Sequence, residues 1–327
     1  MTHPPFRRRP LLALAAAAPL APRAARAEQA WPQRPIRLVI PFPPGGSTDI
    51  VARLMAERMG RELGQPLIAE NRPGANGNLG NDAVAKAEPD GHTVLYNTSS
   101  IALSPALYTR LPYDALRDLR PVALTATIPL VLAVHAGLPV RDPAQFVAYV
   151  KERPGQLTYG SAGNGNVTHL GAFLLLRDQG LEAVHVPYRG SAPALLDAAA
   201  GRVQFLTDTV NSALPLIRDG RLRAIAVTSP RRLAPLPDVP AVAEALITGF
   251  EVGAWQGMMV PARTPEAVVA RLNAAALAAL ADADLRARLA EQGTEPLGST
   301  PDAYGAYLRA ETARWGEVIA ASGVRLD

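Results

Sequence analysis

The feature that most constrains the fold is a pattern that recurs along the chain: a short apolar strand, a turn rich in small polar residues, and a helix. It first occurs as the β-branched run 36–40, the turn 41–49 and a stretch with helical apolar spacing, 50–59. In an open α/β sheet such turns lie together at the carboxyl ends of the strands, where ligands bind. The pattern predicts an α/β protein with parallel sheets.

The pattern forms two series, followed by a helical block. Strands are predicted at 36–40, 67–70 and 93–96, and then at 130–134, 157–160, 183–186, 203–206 and 222–227. After a strand-like segment at 253–260, helices are predicted at 265–281, 283–292 and 301–322. This last block has no strand series of its own, so we expect it to pack back on the first. Two lobes joined by two crossovers are therefore predicted, lobe 1 at 28–128 with 253–327 and lobe 2 at 129–252.

The N-terminus has the features of a secretory signal peptide, predicted at residues 1–27. Three arginines, 7–9, precede an apolar run, 11–20, and the small-residue cleavage pattern Ala25-Arg26-Ala27. The Arg8-Arg9 pair also suits a twin-arginine signal, so the general secretory route and the twin-arginine route both stay open. We expect export to the periplasm.

Removing this leader changes the charge balance. The chain has 33 basic and 29 acidic residues, and five of the arginines lie in the leader, which leaves 28 basic residues and a net charge of −1. The mature chain therefore offers no basic surface that would favour nucleic acid. The chain has no cysteine, and among its five histidines, one of them in the leader, no pair has metal-binding spacing, so neither a disulfide nor a metal site is expected.

The first turn is a candidate anion site. Gly45 and Gly46 let the backbone bend, and Ser47, Thr48 or Asp49 is the expected N-cap of the helix that follows. The free N–H groups of a helix N-terminus attract anions. Four interpretations are open at this point: a phosphate site, an activated nucleophile, a simple turn, or a carboxylate site.

Catalytic and nucleotide-binding interpretations find little support. Ser47 or Ser161 as nucleophile, His169 as base and Asp208 as its partner could form a triad, but no G-x-S-x-G elbow is present. The first turn lacks the lysine of a P-loop. The Gly163-Asn164-Gly165 turn resembles a dinucleotide fingerprint, but Thr168 occupies the position of the third glycine.

Capture of an anion by main-chain dipoles is the remaining interpretation. The turns 45–49 and 161–168 are predicted in different lobes and could face one another. Either turn alone could be an ordinary strand-to-helix connection. Several such turns together, in an exported chain without a recognisable set of catalytic residues, favour a protein that binds a carboxylate. We expect no enzymatic activity and no cofactor.

The chain also resembles the Bug-type receptors, the periplasmic solute-binding components of tripartite tricarboxylate transporters. The matching segments cover almost the whole mature chain in the same order: 31–32, 35–36, PFPPGGSTD at 41–49, ENRPGA at 70–75, PDGHT at 89–93, GNG at 163–165, HL at 169–170, VPYRG at 186–190 and LRAIAVT at 222–228. The resemblance implies a two-lobe Venus-flytrap fold with the ligand between the lobes, and no catalysis.

The resemblance also implies a set of ligand contacts. They are Phe42, Gly45, Gly46, Ser47, Thr48 and Asp49 of the first turn, Thr98 and Ser99 of a third contact zone, Ser161, Gly163, Asn164, Gly165, Asn166, Thr168 and His169 of the second turn, and Tyr188 and Asp208. Asp208 could reach a ligand amino group, contact a bridging water, or cap the following helix. The third zone, 98–104, varies in the family and is expected to set ligand choice.

The implied function is capture of a small carboxylate and its presentation to the membrane permease subunits. Citrate-like acids, acidic amino acids, aromatic carboxylates and nicotinate-like compounds are all candidate ligands. The alternatives are a periplasmic sensing module that passes its liganded state to a signalling partner and, with less support, a serine hydrolase. We expect a monomer.

Overall fold

The computed structural model of the chain describes residues 1–3 and 31–326, so most of the predicted leader lies outside the described residues. Residues Pro32–Asp327 cluster as one unit, apart from Met1–Trp31. Among the helices described, none has both the length and the apolar character needed to span a membrane.

Strands and helices alternate through most of the described chain. The strands are β1 (Ile36–Ile40), β2 (Leu67–Asn71), β3 (Thr93–Thr98), β4 (Leu119–His135), β5 (Thr158–Ser161), β6 (Val184–Pro187), β7 (Phe205–Thr209), β8 (Leu222–Val227), β9 (Gly253–Pro261) and β10 (Glu295–Pro296). The helices are α1 (Ser47–Leu63), α2 (Asn78–Ala85), α3 (Ser100–Leu107), α4 (Pro143–Lys151), α5 (Val167–Asp178), α6 (Ser191–Ala199), α7 (Val210–Arg218), α8 (Val242–Ala245), α9 (Glu266–Ala281), α10 (Ala283–Ala290) and α11 (Pro301–Ser322).

The strands form one path in the order β2-β1-β3-β9-β4-β7-β5-β6, with β8 and β10 also paired to β4. Four pairs within the predicted series are parallel, namely β1 with β2 and β3, and β5 with β6 and β7. The expectation of purely parallel sheets is wrong for β4 and β9, which are antiparallel to their neighbours. These two strands carry the chain out of the first series and back into it, so they run in opposite directions.

Strand β4 belongs to two half-sheets. Its first part, 119–129, pairs with β9 and ends at Pro129, opposite Gly253, in the first half-sheet with β1–β3. Its second part, 130–135, pairs with β7 and β8 in the second half-sheet with β5 and β6, beginning with Leu130 opposite Thr209. The predicted strand 130–134 is only this second part, so the start predicted for the strand is wrong.

The three C-terminal helices occur as predicted, as α9, α10 and α11. Helix α9 packs against α1, and α11 packs against α3 and β4. Glu311 of α11 is buried, and its carboxylate accepts hydrogen bonds from the indoles of Trp255 at 3.0 Å and Trp315 at 2.9 Å. A buried carboxylate is tolerable when it is hydrogen-bonded in this way, and here it fixes α11 to β9.

The two chain crossings between the half-sheets are tied together by Thr228. Its Oγ1 accepts a hydrogen bond from the Leu130 N–H at 2.8 Å and can donate to the carbonyl of Val252. Its own main chain bonds both partners as well, since the Thr228 N–H donates to Leu130 and the Val252 N–H donates to Thr228. Thr228 is buried, so water cannot replace these bonds.

Replacement of this hydroxyl should destabilise the fold. In Thr228→Val the shape is retained but the buried Leu130 N–H loses its side-chain acceptor, which should lower the free energy of unfolding by about 1–3 kcal/mol in urea titrations. Thr228→Ser keeps the hydroxyl and is the matched control. Equal stability of the valine and serine variants would show that the hydroxyl has no such role.

Candidate functional site

The first turn, residues 41–49, connects β1 to α1 and is held by one buried carboxylate. Asp49 Oδ2 accepts hydrogen bonds from the Gly45 N–H at 2.9 Å and from Arg53 Nε at 3.0 Å, and Asp49 Oδ1 accepts from Asn71 Nδ2 at 2.9 Å. Asn71 also donates to the carbonyl of Phe42 at 3.0 Å. Asp49 therefore fixes both ends of the turn.

The predicted N-cap of this helix is wrong. Gly46 occupies the cap position with an extended backbone, and Ser47, Thr48 and Asp49 are the first three helical residues. The reason is that the Asp49 side chain turns back to the Gly45 N–H, so the carboxylate closes the turn from inside the helix. Gly45 has φ +79°, a left-handed conformation in which glycine costs nothing.

The Asp49 carboxylate is ionised and already engaged. Burial by itself raises the pKa of this carboxyl, but hydrogen bonds from Arg53, the Gly45 N–H and Asn71, with the charge of Arg53, outweigh burial and hold the pKa below its ordinary value. What the turn still offers is the set of N–H groups at the start of α1, which an α-helix leaves without intrahelical partners. Gly45 is exposed and Gly46 and Ser47 are half-buried, whereas Thr48 is buried.

The second turn, residues 161–168, connects β5 to α5 and is fixed by its own hydroxyls. Asn166 is the N-cap and its Oδ1 accepts from the Thr168 N–H at 3.1 Å. Thr168 Oγ1 accepts from the Ala162 N–H at 2.9 Å, and Ser161 Oγ accepts from the Gly163 N–H at 3.2 Å. Ser161 and Thr168 are buried, while Asn164 is exposed at the tip of the turn.

Gly163 and Gly165 are needed for the shape of this turn. Gly163 has φ +141°, and a Cβ there would lie 3.3 Å from the carbonyl oxygen of Tyr188. A Cβ on Gly165, which has φ +68°, would lie 2.6 Å from the side chain of Leu107 at the end of α3. The second turn thus touches the helix that follows β3 in the first half-sheet, which brings it close to the third predicted contact zone, 98–104.

A stack of three rings supports the second turn from beneath. The rings of Tyr159 and His185 lie 4.9 Å apart between centroids, and those of His185 and His169 lie 3.8 Å apart at 6°. His185 Nε2 is 2.7 Å from Ser161 Oγ, and His169 Nδ1 accepts from the Gly165 N–H at 3.2 Å. Both histidines therefore hold the turn by hydrogen bonds as well as by stacking.

Both imidazoles are neutral near pH 7. Burial, aided by the neighbouring His185, lowers the pKa of His169 to about 3, and burial lowers the pKa of His185 to about 4. A protonated His169 could no longer accept the Gly165 N–H at Nδ1. The geometry of the turn therefore depends on uncharged rings.

Tyr188 and Asp208 lie next to the second turn. The Tyr188 N–H donates to the carbonyl of Ser161, and the Gly190 N–H donates to that of Ala162, each at 3.1 Å. Ser191, one residue on, donates from Oγ to Asp208 Oδ1 at 2.7 Å. The carboxyl ends of β5, β6 and β7 are in this way hydrogen-bonded into one platform.

The hypothetical catalytic triad is not formed. The His169 ring is bonded to Gly165 rather than to a serine, and the histidine next to Ser161 is His185. Asp208 accepts from Ser191 and Thr209 and does not contact a histidine in the described residues. The residues considered for the triad are thus used to shape the turn.

Thr98 and Ser99 end β3 and lead into α3. Thr98 Oγ1 accepts from the Ser100 N–H at 3.2 Å, and the Ser99 N–H donates to the carbonyl of Trp255 at 2.9 Å. Both residues are buried, and Ser99 Oγ has no hydrogen-bond partner in the described structure.

Two surface cavities lie away from these turns. One, of 630 Å³, is lined by α1 and the segment leading into β2, and the other, of 390 Å³, is lined by α3 and residues 108–116. The second cavity is lined in part by Ile101 of the third predicted zone, but neither cavity is lined by a residue of the two turns. Among the described residues, no cluster of His, Asp and Glu is placed to hold a metal ion.

Several residues that shape the site were not predicted. Asn71, His185 and Ser191 each bond a predicted residue, and Asn211 follows Asp208 by three residues, in the first turn of α7. Asn71 and Ser191 are in or near segments that match the family pattern, which was an available signal. His185 has partners that only the sheet register brings close, and the Asn211 amide is buried without a hydrogen-bond partner.

Comparison with known proteins places the chain among solute-binding receptors. The family model described as tripartite tricarboxylate transporter family receptor (TctC) matches residues 51–324. A UPF0065 protein in the tcbD-tcbE intergenic region of Pseudomonas sp. strain P51 is 42% identical over 96% of this chain and 94% of its own. Protein BugT of Bordetella pertussis is 36% identical over 90% of this chain and 91% of its own.

Solved structures agree with the sequence relatives. Periplasmic binding protein BugD has a TM-score of 0.83 at 34% identity, covering 90% of this chain and 99% of its own. Rhodopseudomonas palustris Rpa4515, solved with adipate, has a TM-score of 0.86 at 37% identity, covering 90% of this chain and 99% of its own. MatC (Rpa3494) from the same organism, solved with bound malate, has a TM-score of 0.80 at 36% identity, covering 88% of this chain and 100% of its own.

These matches confirm the predicted fold, a two-lobe α/β periplasmic-binding-protein fold, and identify a solute-binding protein rather than an enzyme. The chain belongs to the tripartite tricarboxylate transporter receptor family and is of the Bug type. The set of ligand contacts stays a prediction.

The neutral histidines predict a specific dependence of stability on pH. Their pKa values lie below the value of about 6.5 for an unfolded chain, so the unfolded state binds more protons as the pH falls. The free energy of unfolding should therefore decrease from about pH 7 toward pH 4. In His185→Gln, which cannot titrate at this position, urea titrations should show a shallower decrease. His169 and Asp208 are present in both proteins, so the difference reports on His185; parallel curves would contradict its assignment.

Proposed function

We propose that this receptor captures a small carboxylate between its two lobes and presents it to the permease subunits of a tripartite tricarboxylate transporter. The observation that carries the proposal is the way both turns use their side chains. Asp49, Ser161 and Thr168 hold the turns by hydrogen bonds, and Asn166 caps the Thr168 N–H at the start of α5. The other N–H groups at the starts of α1 and α5 are the proposed anion donors.

The proposed lobes are residues 28–128 with 253–327, and residues 129–252. The pairing of β4 supports this division, because the strand changes partners between Pro129 and Leu130. The return crossing leads into β9 at Gly253. The first turn then belongs to lobe 1 and the second turn to lobe 2.

The proposed contacts lie in and beside the two turns. In lobe 1 they are Phe42 and the start of α1, with Thr98 and Ser99. In lobe 2 they are the turn 161–166, Thr168, His169, Tyr188 and Asp208. Charge-assisted hydrogen bonds contribute about 1.5–3 kcal/mol each, so four or five are enough for roughly micromolar affinity after the costs of ordering.

The cellular setting follows from the leader and the family. We propose that residues 1–27 are removed after export and that the mature receptor acts in the periplasm as a monomer. The relatives solved with adipate and malate support a carboxylate ligand, and the family description supports a membrane permease as the partner.

Glycine variants in the two turns should lose binding. In Gly46→Val the Cβ has no contact closer than 3.6 Å, so the fold is retained while the side chain covers the N–H groups of α1. Gly163→Val introduces a side chain at φ +141° and distorts the second turn. Each should weaken binding of the best ligand from a carboxylate panel about 100-fold by calorimetry, equivalent to about two charge-assisted hydrogen bonds.

Gly316→Ala in α11 is the control, because a Cβ there meets no atom within 4 Å. The panel itself is screened by thermal shift, since a ligand specific for the native state raises the melting temperature. Unchanged affinity in both turn variants would overturn the two-turn site. A wild-type protein that binds no carboxylate would overturn the proposed function.

A further inference from the structure

The second turn contains an asparagine followed by glycine, a dipeptide that has a covalent chemistry of its own. The main-chain nitrogen of the residue after an asparagine can attack the side-chain carbonyl carbon and close a succinimide ring. Glycine in the second position favours this reaction, because it has no side chain to hinder the approach. The chain has two such dipeptides, Asn76-Gly77 and Asn164-Gly165. The fold holds them in different ways.

Asn164-Gly165 presents its reacting groups at the surface of the turn. Asn164 is exposed, so its amide can rotate and water can reach it. The Asn166 N–H donates to the carbonyl of Gly163 at 3.2 Å, which makes Asn164 and Gly165 the two central residues of a tight turn. The Gly165 N–H donates to Nδ1 of the uncharged His169 ring at 3.2 Å. The nitrogen that must lose a proton therefore already faces an acceptor that can take it up.

Asn76-Gly77 is enclosed by comparison. Asn76 has a left-handed backbone with φ +52°, and its Nδ2 is buried without a hydrogen-bond partner in the described structure. The Gly77 N–H donates to the carbonyl of Gly74 at 3.0 Å, an acceptor that does not take up a proton. A Cβ on Gly77 would lie 3.4 Å from the side chains of Phe42 and Pro41, so the main chain is packed there. This dipeptide is an internal control for the one in the second turn.

A carboxylate in place of the Asn164 amide would oppose an anionic ligand. Asn164 lies two residues before Asn166, the N-cap of α5. A negative charge there is attracted by the positive end of the α5 dipole and repels a second anion at the same place. The isoaspartate form also inserts a methylene into the main chain before Gly165, where a Cβ would already lie 2.6 Å from Leu107. Either product should weaken the second turn as a carboxylate site.

We propose that Asn164 is a site of spontaneous deamidation that inactivates the carboxylate site, an effect on binding that rests on the proposed function. In the first step the Gly165 nitrogen bonds to Asn164 Cγ, and the bond from Cγ to Nδ2 breaks. The Gly165 proton passes to His169 Nδ1 and on to the departing nitrogen, which leaves as ammonia. In the second step water adds its hydroxyl to a ring carbonyl carbon and its proton to the ring nitrogen. The products are aspartate or isoaspartate, and water is the only co-reactant.

Peptide mass spectrometry tests the modification without any ligand. Wild-type protein is incubated in warm, mildly alkaline buffer and digested at intervals. The peptide with Asn164 should gain the mass difference between a hydroxyl and an amino group, and an isoaspartate form should elute separately. The peptide with Asn76 should react about tenfold more slowly, because the fold must open locally before its ring can close. In protein unfolded in urea the two peptides should react at similar rates.

Calorimetry on the same samples tests the consequence, with the best ligand from the carboxylate panel. The fraction of protein that binds should fall in step with the fraction modified at residue 164. Asn164→Asp, the direct product, should bind about tenfold more weakly than wild type or worse, as loss of one charge-assisted hydrogen bond would give. Asn164→Gln, which would need a larger ring, should keep its starting affinity, whatever its value, throughout the incubation. Asn76→Gln should lose binding at the wild-type rate.

The two measurements fail separately. An unmodified Asn164 in folded protein, under conditions that modify the unfolded protein, would overturn the site, and so would equal rates at residues 76 and 164 in folded protein. Modification of Asn164 with unchanged calorimetry would overturn its effect on binding. Fresh wild-type protein that binds no carboxylate would overturn the proposed function, whereas the mass measurement would still decide whether Asn164 deamidates.

Discussion

The structure depends on the continuity of strand β4. Its residues 119–129 complete the half-sheet that presents the first turn, and its residues 130–135 begin the half-sheet that presents the second. Because the same extended backbone serves both, the two turns are positioned by main-chain hydrogen bonds rather than by a flexible linker. Thr228 adds the side-chain bond that holds the outgoing and returning crossings together.

The two turns are held in shape by different kinds of side chain. In the first, one ionised carboxylate, Asp49, gathers an amide N–H, a guanidinium and a side-chain amide. In the second, the hydroxyls of Ser161 and Thr168 and the neutral imidazole of His185 hold the turn by hydrogen bonds. In both, polar side chains hold a turn at a helix N-terminus, whose positive dipole end favours negative charge.

Much of this was predictable from local sequence. Short apolar runs bounded by turn residues located most strands, and α9, α10 and α11 followed from their apolar spacing. Strand β4 was predicted to begin too late because Pro121 and Pro129 interrupt its first part, and prolines argue against a strand unless its pairing is known. The N-cap of α1 was assigned to a side chain, whereas the Asp49 carboxylate closes the turn from the helix interior.

The components of the site that escaped prediction depend on partners distant in the chain. His185 stacks on His169 and approaches Ser161 because β6 pairs with β5 in a register that sets Tyr159 opposite His185. Asn211 became noticeable only when the burial of its amide and the unpartnered oxygen of Asp208 were known. Nothing in the local pattern around either residue carries that information.

The inward use of polar side chains has a consequence for how such receptors diversify. The residues that shape the two turns bond mainly within their own turn or to its immediate supports, so their positions do not depend on side chains elsewhere. Under the proposed carboxylate function, side chains of the zone after β3 can therefore change the choice of ligand while the two turns keep their shape.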